Sequence, residues 1–140
     1  MTPQTLTVPA TPDSLPTVLN FITQTLDTTT CPPATQFAIE VAAEEIFVNI
    51  AHYAYAASPP PGQATITCQT TPNPPTITIR FTDTGTPYNP LKKPDPDLTQ
   101  NSTDRPIGGL GIYMVKTTMD SVEYEYHNHQ NILTIRKALT

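Results

Sequence analysis

Seventeen of the 140 residues are proline, and most of them stand in groups. A proline fixes its own φ and carries no N–H, so neither a helix interior nor a central strand runs through such a group. The groups fall at Pro32-Pro33, at Pro59-Pro60-Pro61, at Pro72, Pro74 and Pro75, and across Pro87–Pro96. Regular structure must therefore be built between these points, and the groups read as stiff connections. No internal repeat or linker divides the chain, so residues 1–140 are expected to form one domain.

Between the prolines the apolar residues are periodic. Leu6 and Val8 alternate with Thr, which predicts a short first strand. Leu15, Val18, Leu19, Ile22 and Leu26 recur at helical spacing, giving a helix over about 13–27. A second helix is expected over about 34–56, with Ile39, Ala43, Ile46 and Ile50 on its apolar face. Residues 64–70 alternate, with Ile66 and Cys68 on one side, and Ile77, Ile79 and Phe81 do the same. The turn residues between these runs make them an antiparallel pair. A third helix follows Gly111, with Ile112, Val115 and Met119 on one face. Two last strands, Val122–Tyr126 and Ile132–Arg136, are joined by a polar turn over His127–Asn131. The order predicts an α+β fold: a two-layer sandwich with helices on one face of a mixed, mostly antiparallel sheet.

Charge narrows the partners. The net charge is -5, and the seven Lys and Arg form no basic run. That argues against nucleic acid, because phosphate backbones demand clustered cations. No apolar run approaches membrane-spanning length. The opening Met1-Thr2-Pro3-Gln4 lacks the basic-then-apolar order of a secretory signal. Cys68 in a strand and Cys31 before Pro32 read as one buried and one loop thiol, compatible with a reducing compartment. The expectation is a cytoplasmic protein.

Three segments carry possible chemistry. The first is Glu44-Glu45-Ile46-Phe47-Val48-Asn49-Ile50-Ala51-His52. At about 100° per residue, Glu45, Asn49 and His52 share one helical stripe, while Glu40 and Glu44 lie on another. Glu45 and Asn49, at i and i+4, can address a common ligand. The amide oxygen of Asn49 suits Mg²⁺, and the Glu45 carboxylate suits a general base. Alone, the stripe is also what a solvated helix face looks like.

The second segment is Phe81-Thr82-Asp83-Thr84-Gly85-Thr86-Pro87-Tyr88-Asn89-Pro90, which puts Asp83 at a strand end before a glycine. A carboxylate held there can accept a hydrogen bond from an amine, although Asp-x-Gly is also an ordinary turn. The third is Arg105-Pro106-Ile107-Gly108-Gly109-Leu110-Gly111-Ile112-Tyr113-Met114-Val115, with three glycines ahead of a helix. Such a loop can bring backbone N–H groups to a phosphate, or can simply be a hinge. It is neither a Lys-bearing phosphate loop nor a dinucleotide fingerprint.

In this order the three segments resemble the N, G1 and G2 boxes of the ATPase superfamily that contains DNA gyrase, histidine kinases and the mismatch-repair ATPases. Glu-Glu-Ile-Phe-Val-Asn, Asp-x-Gly-x-Pro-Tyr-Asn-Pro and Gly-Gly-Leu-Gly-Ile-Tyr-Met-Val-Lys are most similar to its anti-sigma-factor serine/threonine kinase branch. The resemblance implies a histidine-kinase-like ATPase domain binding ATP and Mg²⁺. It implies Asn49 as the Mg²⁺ ligand and Glu45 as the base for phosphoryl transfer. It implies Asp83 at the adenine amine, with Gly85 under the ring. Gly108, Gly109, Leu110 and Gly111 fall on the phosphate side. Pro87–Ile107 falls where the family has its lid, with Arg105 as a phosphate contact. Thr134 matches a position near the adenine. Tyr53 departs from the family, where many relatives carry His.

The implied activity is transfer of phosphate from ATP to a Ser of a small anti-sigma-factor antagonist protein. A sigma factor is the other implied partner, and a homodimer is possible. The alternative is a non-catalytic ATP-sensing module that captures its partner without phosphorylating it. His127 and His129 could bind a metal at a strand end, or be a solvated turn.

Overall fold

The computed structural model describes residues 2–55, 62–92 and 109–140. Helix α1 (Leu15–Asp27) starts from a 3₁₀ turn at Pro12–Ser14, and Pro16 sits in its first turn, where a missing N–H leaves nothing unpaired. It buries Val18, Ile22 and Leu26, one turn apart. At its end the hydroxyls of Thr28 and Thr29 donate to the carbonyls of Thr25 and Leu26 at 2.7 and 2.6 Å. These bonds satisfy carbonyls that the finished helix leaves open.

Helix α2 (Pro33–Asn49) begins directly on the first proline pair and buries Ile39, Ala42, Ala43, Ile46 and Phe47. It lies between α1 and α3 (Gly109–Thr118). The single helix expected to about residue 56 changes character after Asn49, where Ile50–Ala54 form a π-helical turn. Such turns are uncommon and concentrate at functional sites.

Five strands form one sheet: β1 (Gln4–Pro9), β2 (Gln63–Thr71), β3 (Thr76–Asp83), β4 (Ser121–His127) and β5 (Gln130–Ala138), in the order β1-β2-β3-β5-β4. Every pairing among the described residues is antiparallel, where some parallel pairing was expected. The reason lies in the route of the chain. The connection through α3 does return β4 parallel to β3, but the β4–β5 hairpin then inserts β5 between them. The hairpin turns on Asn128 and His129 alone, both at positive φ (51° and 61°). That backbone twist suits a two-residue hairpin.

The register puts Leu6, Ile66, Phe81, Leu133 and Tyr124 in one row across the sheet. Cys68, Ile79, Ile135 and Val122 form the next row. Both rows face the helices and join Val18, Ile22, Ile39, Ile46, Phe47 and Val115 in the core. Phe47 and Phe81 are at most 1% exposed, and each contributes about 1.5–3 kcal/mol by leaving water. Cys68 is buried in this core, which pushes its thiol up to about 12. The opposite face carries rows of Thr, such as Thr5, Thr67 and Thr134 with Arg80 between.

Candidate functional site

A third row of the same register, Val8–Ala64–Asp83–Asn131, ends the sheet on the helix side. There the core gives way to a cleft of about 440 Å³, its open mouth included. Ile46, Asn49, Ile50 and Ala54 form one wall, and Ile112 of α3 closes it above. Phe81, Leu133, Tyr88 and Tyr124 line the other side around Asp83 and Asn131. The pocket is apolar with a few convergent polar groups, the form in which planar organic ligands are held.

Asp83 is the buried charge of this cleft, at 5% exposure. Its Oδ1 accepts two hydrogen bonds at 2.9 Å, from the Gly85 N–H and from Nδ2 of Asn131. Its Oδ2 has no partner among the described residues. Burial raises the carboxyl above its ordinary range, and the bonds from Asn131 and Gly85 pull partly the other way. A buried acceptor left open in an apolar cleft fits an amine donor such as that of adenine.

The loop after Asp83 is seated on the π-helical turn. A β-carbon on Gly85 would lie 2.0 Å from the carbonyl oxygen of Ala54, so only glycine fits there. The close approach lets the Thr86 N–H donate to Ala54 O at 2.8 Å. The glycine expected beneath a ring thus has a packing duty against backbone. Tyr55 continues the latch: its hydroxyl accepts from the Thr84 N–H at 2.9 Å and donates to Gln63 O at 2.7 Å. The π turn displaces the residues after Asn49 from the regular wheel. His52, expected on the Glu45–Asn49 stripe, is exposed and lies beside Tyr53, which in turn meets Tyr88 at the cleft mouth.

Asn49 is half-buried and lines the cleft. Glu45 stands one turn earlier, about 6 Å along the axis. It is half-buried too, whereas Glu44 is exposed. Glu45 is not a wall of the cleft; its carboxylate lies against Gly111, where an added β-carbon would meet Oε2 at 2.0 Å. The helix expected to follow Gly111 begins at Gly109, so Gly109, Leu110 and Gly111 belong to the first turn of α3. That turn has N–H groups without helical partners, and the positive end of the helix favours a nearby carboxylate. Gly108, Arg105 and the span 93–107 of the expected lid lie outside the described residues. The lid's first residues are described: Pro90 is buried, and Asn89 Oδ1 accepts from the Leu91 N–H.

Thr134 is a correction. Its cross-strand partners are Arg80 and Glu123, which puts it on the sheet face away from the helices and the cleft. The residue of β5 opposite Asp83 is Asn131, three positions earlier. Reading His127–Asn131 as a turn concealed it; the turn is only two residues, so Asn131 is already in the strand. Asn131 Oδ1 accepts from the Tyr88 N–H at 3.1 Å and from the Tyr124 hydroxyl. Its Nδ2 donates to Asp83 and to Thr86 O, the latter at 3.0 Å.

For Mg²⁺ the side chain available in the cleft is the amide oxygen of Asn49. No group of three His, Cys, Asp or Glu capable of holding a metal occurs among the described residues, the two hairpin histidines included. One protein oxygen still suits Mg²⁺, which usually keeps waters and takes most other ligands from substrate phosphates.

A helix layer on one face of an antiparallel sheet, with this cleft at the strand ends, defines a two-layer domain of the histidine-kinase-like ATPase class. The family model described as the histidine kinase-like ATPase domain matches residues 8–137, nearly the whole chain, and the chain belongs to that family. Among solved structures, the RsbU and RsbW domains of Rv1364c from Mycobacterium tuberculosis superpose with a TM-score of 0.70 at 14% identity. That alignment covers 99% of this chain and 33% of the other, so the chain spans about a third of its length. The SiaB–SiaC complex from Pseudomonas aeruginosa matches with a TM-score of 0.60 at 11% identity, over 96% of this chain and 88% of that one. No curated protein matches. No helix among the described residues is long and apolar enough to cross a membrane.

Proposed function

We propose that this chain binds ATP with Mg²⁺ and transfers phosphate to a Ser of a small antagonist protein, as an anti-sigma-factor-type regulatory kinase of the cytoplasm. The observation that carries the reading is that Asn49 lines the same cleft as the open oxygen of Asp83. When bound, Mg²⁺–ATP supplies the transferable phosphoryl group and neutralises its charge. Asp83 Oδ2 accepts from the adenine amine. Asn49 contributes its amide oxygen to the metal. Glu45 takes the proton of the incoming Ser hydroxyl, and the first turn of α3, with Gly109, Leu110 and Gly111, offers N–H groups to the phosphates. Gly108 and Arg105 are assigned to the phosphate side from the sequence motif. Catalysis of this kind works by positioning and electrostatics.

The sequence motifs, and the fold shared with a third of a chain that carries RsbU and RsbW domains, support this branch. The SiaB–SiaC structure, a complex of two proteins, supports a protein partner. A specific observation favours a second reading: Glu45 rests against Gly111 and not in the cleft. A domain whose Glu45 never reached the substrate would sense ATP and capture its partner without phosphorylating it.

The two readings separate by mutation. In the kinase, Glu45→Ala leaves ATP affinity within a few-fold and slows transfer by about 10²–10⁴. Asn49→Ala impairs binding and transfer together, and Glu44→Ala changes neither. The assay follows labelled phosphate from ATP to a small antagonist protein from the same cell. Tight ATP-dependent capture of that protein with no label incorporated would replace the kinase with the binding module.

A further inference from the structure

A carboxylate facing a nucleobase can read two different edges. With one open oxygen it accepts the single exocyclic amine of adenine. With both open it also matches guanine, whose ring N–H and exocyclic amine lie side by side as a two-donor edge. Each carboxylate oxygen has about two lone-pair sites. At Asp83 both sites of Oδ1 are filled, by the Gly85 N–H and by Asn131 Nδ2, each at 2.9 Å. Only Oδ2 remains for a ligand.

The Asn131 amide cannot turn over to release that oxygen. Its Oδ1 accepts from the Tyr124 hydroxyl and from the Tyr88 N–H. A flip would aim the amide oxygen at the Asp83 carboxylate and the NH₂ at the Tyr88 N–H, leaving that part-buried donor and Oδ1 of Asp83 without this partner. Such a loss is costly where Asn131 is 7% and Asp83 5% exposed. The Tyr124 ring lines the same cleft and keeps its hydroxyl on the amide. Asp83 is thus held as a one-oxygen acceptor by a side chain on a different strand.

We infer that Asn131 is the specificity residue of this site. By occupying Oδ1 of Asp83 it admits adenine and denies guanine its second hydrogen bond. Guanine in the adenine pose also places its O6 acceptor, where adenine has its amine, against Oδ2. The inference rests on the nucleotide reading of the cleft and concerns base choice. Asn131 acts as a positioning residue through Asp83.

The experiment is calorimetry of the full chain with ADP and with GDP, each with Mg²⁺. Wild type binds ADP more tightly than GDP. Asn131→Ala frees one site on Oδ1 while the Gly85 bond persists, so GDP binding tightens and the ADP-to-GDP preference falls by about tenfold. Tyr124→Phe keeps the Nδ2 donor but loosens its orientation, and lowers the preference by a smaller factor; it carries the test alone if Asn131→Ala does not fold. A general loss of structure would weaken both nucleotides together and leave the ratio unmoved. An unchanged ratio in a folded variant, or a wild type that binds both bases equally, overturns the role of Asn131. A wild type that binds neither nucleotide overturns the nucleotide reading as well.

Discussion

Gly111 of α3 comes so close to α2 that a β-carbon there would lie 2.0 Å from Oε2 of Glu45 and 2.7 Å from its Cδ. The contact is with the far end of a flexible side chain, and the helix itself gains from losing a glycine. Gly111→Ala should therefore keep the fold within about 1 kcal/mol of wild type. It should displace the Glu45 carboxylate, so phosphoryl transfer should fall at least tenfold while ADP affinity stays within a few-fold. Urea unfolding, calorimetry and the transfer assay on one preparation check all three. Unchanged transfer after the Glu45 carboxylate is displaced would count against Glu45 as the base.

Gly85→Ala should behave differently, because its clash is with backbone. The Ala54 carbonyl oxygen and carbon would lie 2.0 and 2.5 Å from the new methyl, and the Thr86–Ala54 bond would have to open. We expect a loss of about 1–3 kcal/mol in urea unfolding, typical of overpacking against atoms that cannot move aside. ADP affinity should drop with it. A fully stable Gly85→Ala protein would show that the loop can lift from the π turn without cost.

Asp83→Asn separates function from stability. In wild type, burial raises the Asp83 carboxyl above its unfolded value, so the fold disfavours the ionised form. Below the unfolded value the group is neutral in both states and costs nothing. As pH rises from there through the folded value, wild type loses stability; above it the loss is constant. Asn131 and Gly85 can still donate to the Oδ1 of an Asn at 83. Asp83→Asn should thus gain stability relative to wild type between acid and neutral pH, while ADP affinity falls by about ten- to a hundredfold. Denaturant curves across pH, with ADP titrations at neutral pH, measure both. A variant that loses stability at neutral pH would make Asp83 a structural residue.

Tyr55→Phe tests the latch between the π turn and the loop. It removes a hydroxyl that accepts from Thr84 N and donates to Gln63 O. The site is at the surface, so water replaces part of the loss and the cost should be about 1 kcal/mol. Hydrogen exchange at the Thr84 amide should quicken more than exchange in the core strands. Equal acceleration everywhere would point to global destabilisation.

Most of the fold was legible in the chain. The prolines mark where elements stop, and α1, α2 and the alternating strands follow from apolar spacing because a core-facing helix or strand must repeat at its own period. Glu45, Asn49 and Asp83 were legible as candidates for the same reason: each is defined by its position on a local element. The π turn after Asn49 was not, since it is a register change within a helical pattern and has no compositional mark. It carried His52 away from the stripe where a regular wheel places it.

The sequence by itself determined the elements, their apolar faces and the motif residues, because these depend on neighbours within a few positions. Tertiary structure alone decided the partners across the sheet. Inserting β5 between β3 and β4 placed Asn131, and not Thr134, opposite Asp83. In a strand a shift of three residues changes the face, so that one register choice separates a residue of the cleft from one on the far side of the sheet. The glycines are similar: that Gly85 meets the Ala54 carbonyl and Gly111 meets Glu45 follows from how closely elements distant in sequence approach. No local pattern encodes that distance.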